Sequence, residues 1–140
     1  MRELYLEDLS LGRTATYSRV VTAADIDAFA AVTGDENPVH LDEVYAAGTR
    51  FGGRIAHGML SAGYISTVLG TRLPGPGAIY LSQTLRFRKP VRIGDEVVAT
   101  ARVTAIDEAR ARVTLETTCT VGGDVVVEGE AVVMAPRRTR

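Results

Sequence analysis

Between His57 and Gly70 the chain carries no charged side chain. Ala56, Met59, Leu60, Ala62, Tyr64, Ile65, Val68 and Leu69 spread over every face of the helix that their spacing predicts for residues 55–69. A helix that is apolar all round has no side to offer water, so the rest of the chain must enclose it. Gly58 and Gly63 lower its helix propensity, which points to something approaching the backbone closely. Gly70 ends the segment, and Leu73-Pro74-Gly75-Pro76-Gly77 is a loop.

The wrapper follows directly. After Gly77 the hydrophobic period changes from 3.6 to 2, with strands predicted at 78–88, 95–106, 110–121 and 125–134. The third alternates cleanly, with Ala111, Val113, Leu115, Thr117, Cys119 and Val121 on one face. Pro90 and Gly94-Asp95, then Asp107-Glu108, then Gly122-Gly123-Asp124 mark turns between antiparallel neighbours. An earlier strand, 13–21, makes five. One helix against a five-stranded antiparallel sheet is an α+β architecture. Such a sheet leaves edges that a second copy would cover, so a homodimer or higher homo-oligomer is expected.

The segment between the first strand and the central helix is different. Thr22 with Asp25 is a variant capping box opening a helix over 22–33, and Gly34 closes it. Asp35-Glu36-Asn37-Pro38 reads as a turn. Asp42 caps a short helix over 43–49, and Phe51-Gly52-Gly53-Arg54 is a flexible connector.

A length of 140 residues suits one domain, 1–140, with a core of its own. The formal net charge of −1 gives no bulk attraction to nucleic acid or an anionic membrane, and the basic tail Arg137, Arg138, Arg140 is expected to be solvated. A single cysteine, Cys119, excludes an internal disulfide and any CxxC metal site, and two histidines make a His-rich metal site a poor expectation. The start, MRELYLEDLSLG, has no signal-peptide core, and no window approaches the ~20 apolar residues of a membrane span. A cytoplasmic location is expected.

Asp35 and His40 stand five positions apart across the proline turn. A carboxylate and an imidazole held together can share a water and take its proton near neutral pH. Alone, that spacing is more often a backbone cap beside a structural histidine. Asn37 and Pro38 are turn formers that would aim the pair. At His57-Gly58 the central helix opens, and a glycine amide there, with the helix dipole behind it, suits an oxygen that gains negative charge; a packing glycine and a first-turn polar residue are the plainer alternative. Ser66 falls two turns after Gly58 on the same face, where a core serine bonded to its own helix is the default. Arg86, Arg88 and Lys89 could meet the phosphates of a substrate handle, or be an ordinary solvated strand end. Cys119 reads as core. No GxSxG, GxGxxG or P-loop pattern occurs, which argues against serine-hydrolase and nucleotide chemistry.

Taken together, the run TGDENPVHLDEVYA, the Phe-Gly connector, IAHGML and LPGPGAIYLSQTLRFRKPVRIGDEV resemble the MaoC-like hot-dog family, and within it the R-specific enoyl-CoA hydratases. The resemblance runs from about Leu9 to Met134. It implies a hot-dog fold, with the sheet wrapped round the central helix and an overhanging segment carrying the catalytic loop. It implies reversible hydration of trans-2-enoyl-CoA to (R)-3-hydroxyacyl-CoA, with Asp35 and His40 catalytic, Gly58 N–H on the thioester carbonyl, and Ser66 in support. Asn37 in the turn and His57 at the helix start are expected to support the site by their own positions. With a CoA handle, the phosphates that Arg86, Arg88 and Lys89 could meet from their strand end would be those of CoA. No metal or cofactor is implied, CoA being part of the substrate. Three alternatives stay open: a dehydratase of carrier-protein substrates, a hot-dog thioesterase, and a non-catalytic acyl-thioester-binding module. A thioesterase is disfavoured because 56–70 holds no carboxylate.

Overall fold

The computed structural model describes residues 3–139. A short 3₁₀ turn, Leu6–Asp8, precedes β1 (Thr14–Val20), α1 (Ala23–Thr33), α2 (Pro38–Leu41), α3 (Glu43–Ala47) and α4 (Gly58–Thr71). Then come β2 (Ile79–Gln83), β3 (Arg86–Phe87), β4 (Glu96–Asp107), β5 (Arg112–Val121) and β6 (Asp124–Met134). The strands form one antiparallel sheet in the order β1-β4-β5-β6-β2, with β3 also on β6.

The expected strand 78–88 is therefore two pieces, and the sheet has six strands rather than five. The register shifts between Tyr80 and Ser82, and the chain lifts off at Thr84-Leu85. Thr84 still exchanges bonds with Glu130: its N–H donates to the Glu130 carbonyl at 2.9 Å, and its hydroxyl accepts from Glu130 N–H at 3.0 Å. The lift passes directly over Gly129, where a Cβ would lie 1.8 Å from the Thr84 carbonyl oxygen. Only glycine fits beneath that crossing.

The sheet's inner face and α4 make the core. Tyr64, Ile65, Val68 and Leu69 of α4 are buried against Val97, Ala99 and Ala101 of β4, Val113, Leu115 and Cys119 of β5, and Val127, Ala131 and Val133 of β6. The clean alternation predicted for β5 is what is found, from Val113 to Cys119. Each such aliphatic side chain contributes about 1.5–3 kcal/mol when fully buried.

The central helix departs from expectation at both ends and on one face: it runs through Gly70 to Thr71, with Arg72 as its C-cap. It begins at Gly58, not Ile55, because Ile55 and Ala56 are extended: Ile55 bridges to Arg92, and Ala56 N–H donates to the Val91 carbonyl at 2.7 Å. Nor is it enclosed on all sides. Met59, Gly63, Ser66 and Gly70, a stripe at helical spacing, lie exposed. The sheet is too narrow to close round the helix, and the open stripe faces outward.

Local capping follows the sequence closely. Asp25 N–H donates to Thr22 Oγ1 and Thr22 N–H to Asp25 Oδ2, both at 3.1 Å. Gly34 ends α1 at φ +81°, its N–H on the Ala30 carbonyl at 2.8 Å. Asp42 Oδ1 accepts from Tyr45 N–H at 3.0 Å and opens α3. The turn expected over 35–38 is the start of a further short helix: Asn37 Oδ1 accepts from Val39 N–H at 3.2 Å, and Pro38 takes the first helical position, where a missing N–H costs nothing. The basic tail is not free. Arg138 donates to the Asp8 carboxylate, and Arg137 to the Glu108 carbonyl; Arg140 lies outside the described residues.

Candidate active site

Gly34 turns the chain so that Asp35 crosses the N-terminus of α4. The Asp35 carboxylate accepts from Asn37 N–H at 3.2 Å, which folds the loop back on itself. His40, in the last turn of α2, sends Nδ1 to the Ile55 carbonyl oxygen at 2.8 Å. A carbonyl only accepts, so Nδ1 carries a proton, and in the neutral ring Nε2 holds the lone pair. Behind His40 lies His57, 2% exposed, with ring centroids 3.9 Å apart and planes 29° from parallel. Its Nε2–H donates to the Asp35 carbonyl at 3.0 Å. Phe29 of α1 packs on His57 at 4.7 Å.

Asp35, His40 and His57 bring donor atoms within 4.8 Å of one another. Proximity alone would let them hold a divalent ion. The stacking works against it: two rings face to face send their nitrogen lone pairs side by side, whereas ligands must converge on one point. One nitrogen of each ring is already committed to a carbonyl.

Gly58 opens α4, and its N–H is one of the amides a helix cannot satisfy from within. A Cβ on Gly58 would lie 2.6 Å from Phe87 Cε1. Phe87 thus covers the helix start, which makes Gly58 a packing glycine as well as an open amide. Ser66 looks along the same face; it is Thr67 and Thr71 whose hydroxyls bond back to carbonyls one turn earlier.

Two cavities share His40, His57, Gly58 and Met59 on their walls. The outer one, about 410 Å³, is rimmed by Arg50, Arg88 and Lys89 over apolar walls that include Phe51 and Val91. The inner one, about 650 Å³ and open along the exposed stripe of α4, holds Asp35 and Ser66 among Phe29, Ala62, Tyr80 and Leu85. Arg88 is paired with Glu128 at 2.6 Å and Lys89 with Asp124 at 3.5 Å. Arg86 does not join them. It lines a separate depression with Thr104 and Glu116.

Two arginines carry no signal in the sequence. Arg50 reaches the outer rim, its guanidinium 5.2 Å from the Phe51 ring. Arg54 donates from Nε to the His40 carbonyl at 2.5 Å and from an Nη to Asp27 at 2.7 Å, tying α2 to α1. Its partner lies on another helix, so no local spacing could have revealed it. Cys119 sits away from the site: its thiol meets the Ser61 carbonyl at 3.5 Å, and burial pushes its pKa up to about 12, which removes it as a thiolate nucleophile.

Residues 10–124 match the family described as MaoC like domain. The chain belongs to the MaoC-like family. It is 56% identical over 134 residues to the (R)-specific enoyl-CoA hydratase of Rhodospirillum rubrum, covering 96% of this chain and 93% of that protein. It is 53% identical over 138 residues to the 3-hydroxybutyryl-CoA dehydratase of Methylorubrum extorquens, covering 99% and 88%. The unliganded R-hydratase PhaJ1 of Pseudomonas aeruginosa superposes with a TM-score of 0.93 at 46% identity, over 97% of this chain and 88% of that one. The MaoC-like fold here is the hot dog: one antiparallel sheet packed on α4, with residues 22–57 as the overhang bearing the candidate loop.

Proposed function

We propose that the protein is an R-specific enoyl-CoA hydratase, adding water reversibly to trans-2-enoyl-CoA to give (R)-3-hydroxyacyl-CoA. The observation that carries this is the His40 tautomer. Nδ1–H is donated to Ile55, which leaves Nε2 of the neutral ring free to act as a base, and the ring shares a cavity wall with Asp35 and Gly58 at the opening of α4, one of its nitrogens within 4.8 Å of the Asp35 carboxylate. A water between them gives up a proton as its oxygen attacks C3 of the enoyl thioester. Charge moves to the C1 oxygen, where Gly58 N–H and the positive end of α4 stabilise the enolate. The same pair returns a proton to C2, so the addition is syn. Ser66 and Asn37 support the pair. No metal is required, because the thioester itself acidifies C2, and CoA enters as part of the substrate.

The two cavities fit the two halves of that substrate: a basic rim for a phosphorylated handle, an apolar chamber for the acyl chain, and the polar pair where they join. The rim is compact, which suits CoA better than a carrier protein's surface. No carboxylate stands on α4, which weighs against a thioesterase. The active unit is a homodimer covering the open stripe of α4 and the edge of β2. A cytoplasmic location accompanies the reading; no described helix is long and apolar enough to cross a membrane.

The test follows loss of the conjugated enoyl absorbance of crotonyl-CoA by wild type, Asp35→Asn and His40→Ala, with chiral analysis of the alcohol. Turnover to the R alcohol that falls about 10²–10⁴-fold in folded variants supports the assignment. Turnover that survives both substitutions removes these residues from the chemistry, and release of free thiol instead would make the protein a thioesterase.

A further inference from the structure

We propose that His57 is the positioning residue of the site: its ring braces one face of His40 while its Nε2–H holds the Asp35 backbone, so that base and carboxylate meet the same water. The kinetic part of this inference rests on the hydratase reading; the structural part does not.

His57 occupies the N-cap of α4, where Asn, Asp, Ser and Thr are favoured because their oxygens accept from the helix's first amides. Thr22, Asn37 and Asp42 do this for α1, α2 and α3. His57 does not; it makes no capping bond. Its Nδ1 is buried with no hydrogen-bond partner among the described residues. A buried ring nitrogen left unsatisfied is unfavourable, so neither helix formation nor packing explains a histidine here.

What the side chain does instead is directed at the site. It contacts both members of the pair by different means. The bond to the Asp35 carbonyl, at 3.0 Å, ties down a loop whose residues 34–37 are all exposed. The face of the ring lies 3.9 Å from His40 and prevents that ring from tipping away from Ile55. Phe29 packs on His57 in turn, so the stack is anchored to α1. The two histidines must then hold opposite tautomers: His40 protonated on Nδ1, His57 on Nε2, because each donates to a carbonyl oxygen from that atom.

The chain has only two histidines, which makes this directly measurable. In protein labelled with ¹⁵N-histidine, long-range ¹H–¹⁵N spectra at neutral pH should show one Nδ1–H and one Nε2–H imidazole. Only the Nδ1–H set should remain in His57→Gln. Two rings of the same tautomer, or an Nε2–H ring remaining in that variant, would overturn the proposal whatever the protein catalyses. The kinetic arm compares His57→Asn, which supplies a good helix cap but loses ring and reach, with His57→Gln, which keeps an amide donor able to reach Asp35. His57→Asn should lower kcat on crotonyl-CoA about 10- to 100-fold, with KM within about threefold. His57→Gln should recover several-fold of that loss. Wild-type kcat in His57→Asn, or a loss confined to KM, would sink the positioning role. If the wild type turns over no enoyl thioester, the hydratase reading fails and the tautomers alone decide this one.

Discussion

The ring of Phe87 occupies the space that a side chain on Gly58 would need, its Cε1 only 2.6 Å from where a Cβ would stand. One contact therefore couples the end of β3 to the first amide of α4. Gly58→Ala would ordinarily favour a helix, by up to about 1 kcal/mol. Here the clash decides the sign. Gly58→Ala is expected to lower stability by about 1–3 kcal/mol and to reduce kcat. Adding Phe87→Ala should remove the clash. Urea midpoints for the single and double variants test this; an unchanged midpoint in Gly58→Ala would mean that Phe87 swings aside freely.

Asp25 has a second duty besides the capping box. Arg19 holds it with two bonds, at 2.6 and 3.1 Å, and the hydrogen bond from this guanidinium, with help from the Thr22 amide, brings the Asp25 pKa down to about 2. A carboxylate with a folded pKa below its unfolded value stabilises fully above the unfolded value, about 4, and loses that contribution as pH falls through the folded one. Asp25→Asn should therefore be less stable than wild type at pH 7, by up to about 1 kcal/mol, the range for an ion pair open to solvent on one side. The gap should close between pH 4 and about 2. Denaturation midpoints of both proteins across that range check it; a gap that persists at pH 2 would assign the difference to shape, not charge.

What was legible in the sequence was whatever depends on neighbours along the chain. The capping box at Thr22, the C-terminal glycine at Gly34 and the alternation of β5 are all local, and all are present. The candidate loop and helix start were legible too, because Asp35, His40 and Gly58 belong to one short stretch. What was hidden depends on contacts between distant segments. Gly129 looks like any strand glycine until Thr84 crosses it. Arg54 finds Asp27 on another helix, and Arg86 lines a different depression from the one that Arg88 and Lys89 rim. The exposed stripe of α4 is hidden for a related reason: composition says a helix is apolar all round, but not how far a sheet reaches around it.

On the outer rim, Arg88 already has Glu128 as a partner at 2.6 Å and Lys89 has Asp124 at 3.5 Å, whereas Arg50 rests against the Phe51 ring. A phosphate must compete for the first two. Arg50→Ala should therefore raise KM for crotonyl-CoA more than Lys89→Ala does, by several-fold, with little change in kcat. Crotonyl-pantetheine, which lacks the nucleotide phosphates, should show no such difference. Equal KM changes on both substrates would move Arg50 from charge recognition to packing of the Phe51 wall.

The edge of the sheet is unusual for a monomer. β2 ends the strand order with the sequence Ile79-Tyr80-Leu81-Ser82-Gln83, and Ile79, Tyr80 and Leu81 are 55%, 41% and 39% exposed. Free edges are normally protected by charge, proline or a covering element; none of these occurs within β2. The open stripe of α4 lies on the same side of the inner cavity, where Met59, Gly63 and Ser66 share walls with Tyr80. A two-fold pairing of β2 with its copy would extend both sheets and cover both stripes at once. Leu81→Lys places a charge on that edge and should shift the proposed homodimer toward monomer at micromolar concentration, read by sedimentation. Because the inner cavity would then open to water, activity should fall in parallel with the dimer fraction and recover as protein concentration rises. A variant that stays dimeric and fully active would place the interface elsewhere, and the apolar edge would need another cover.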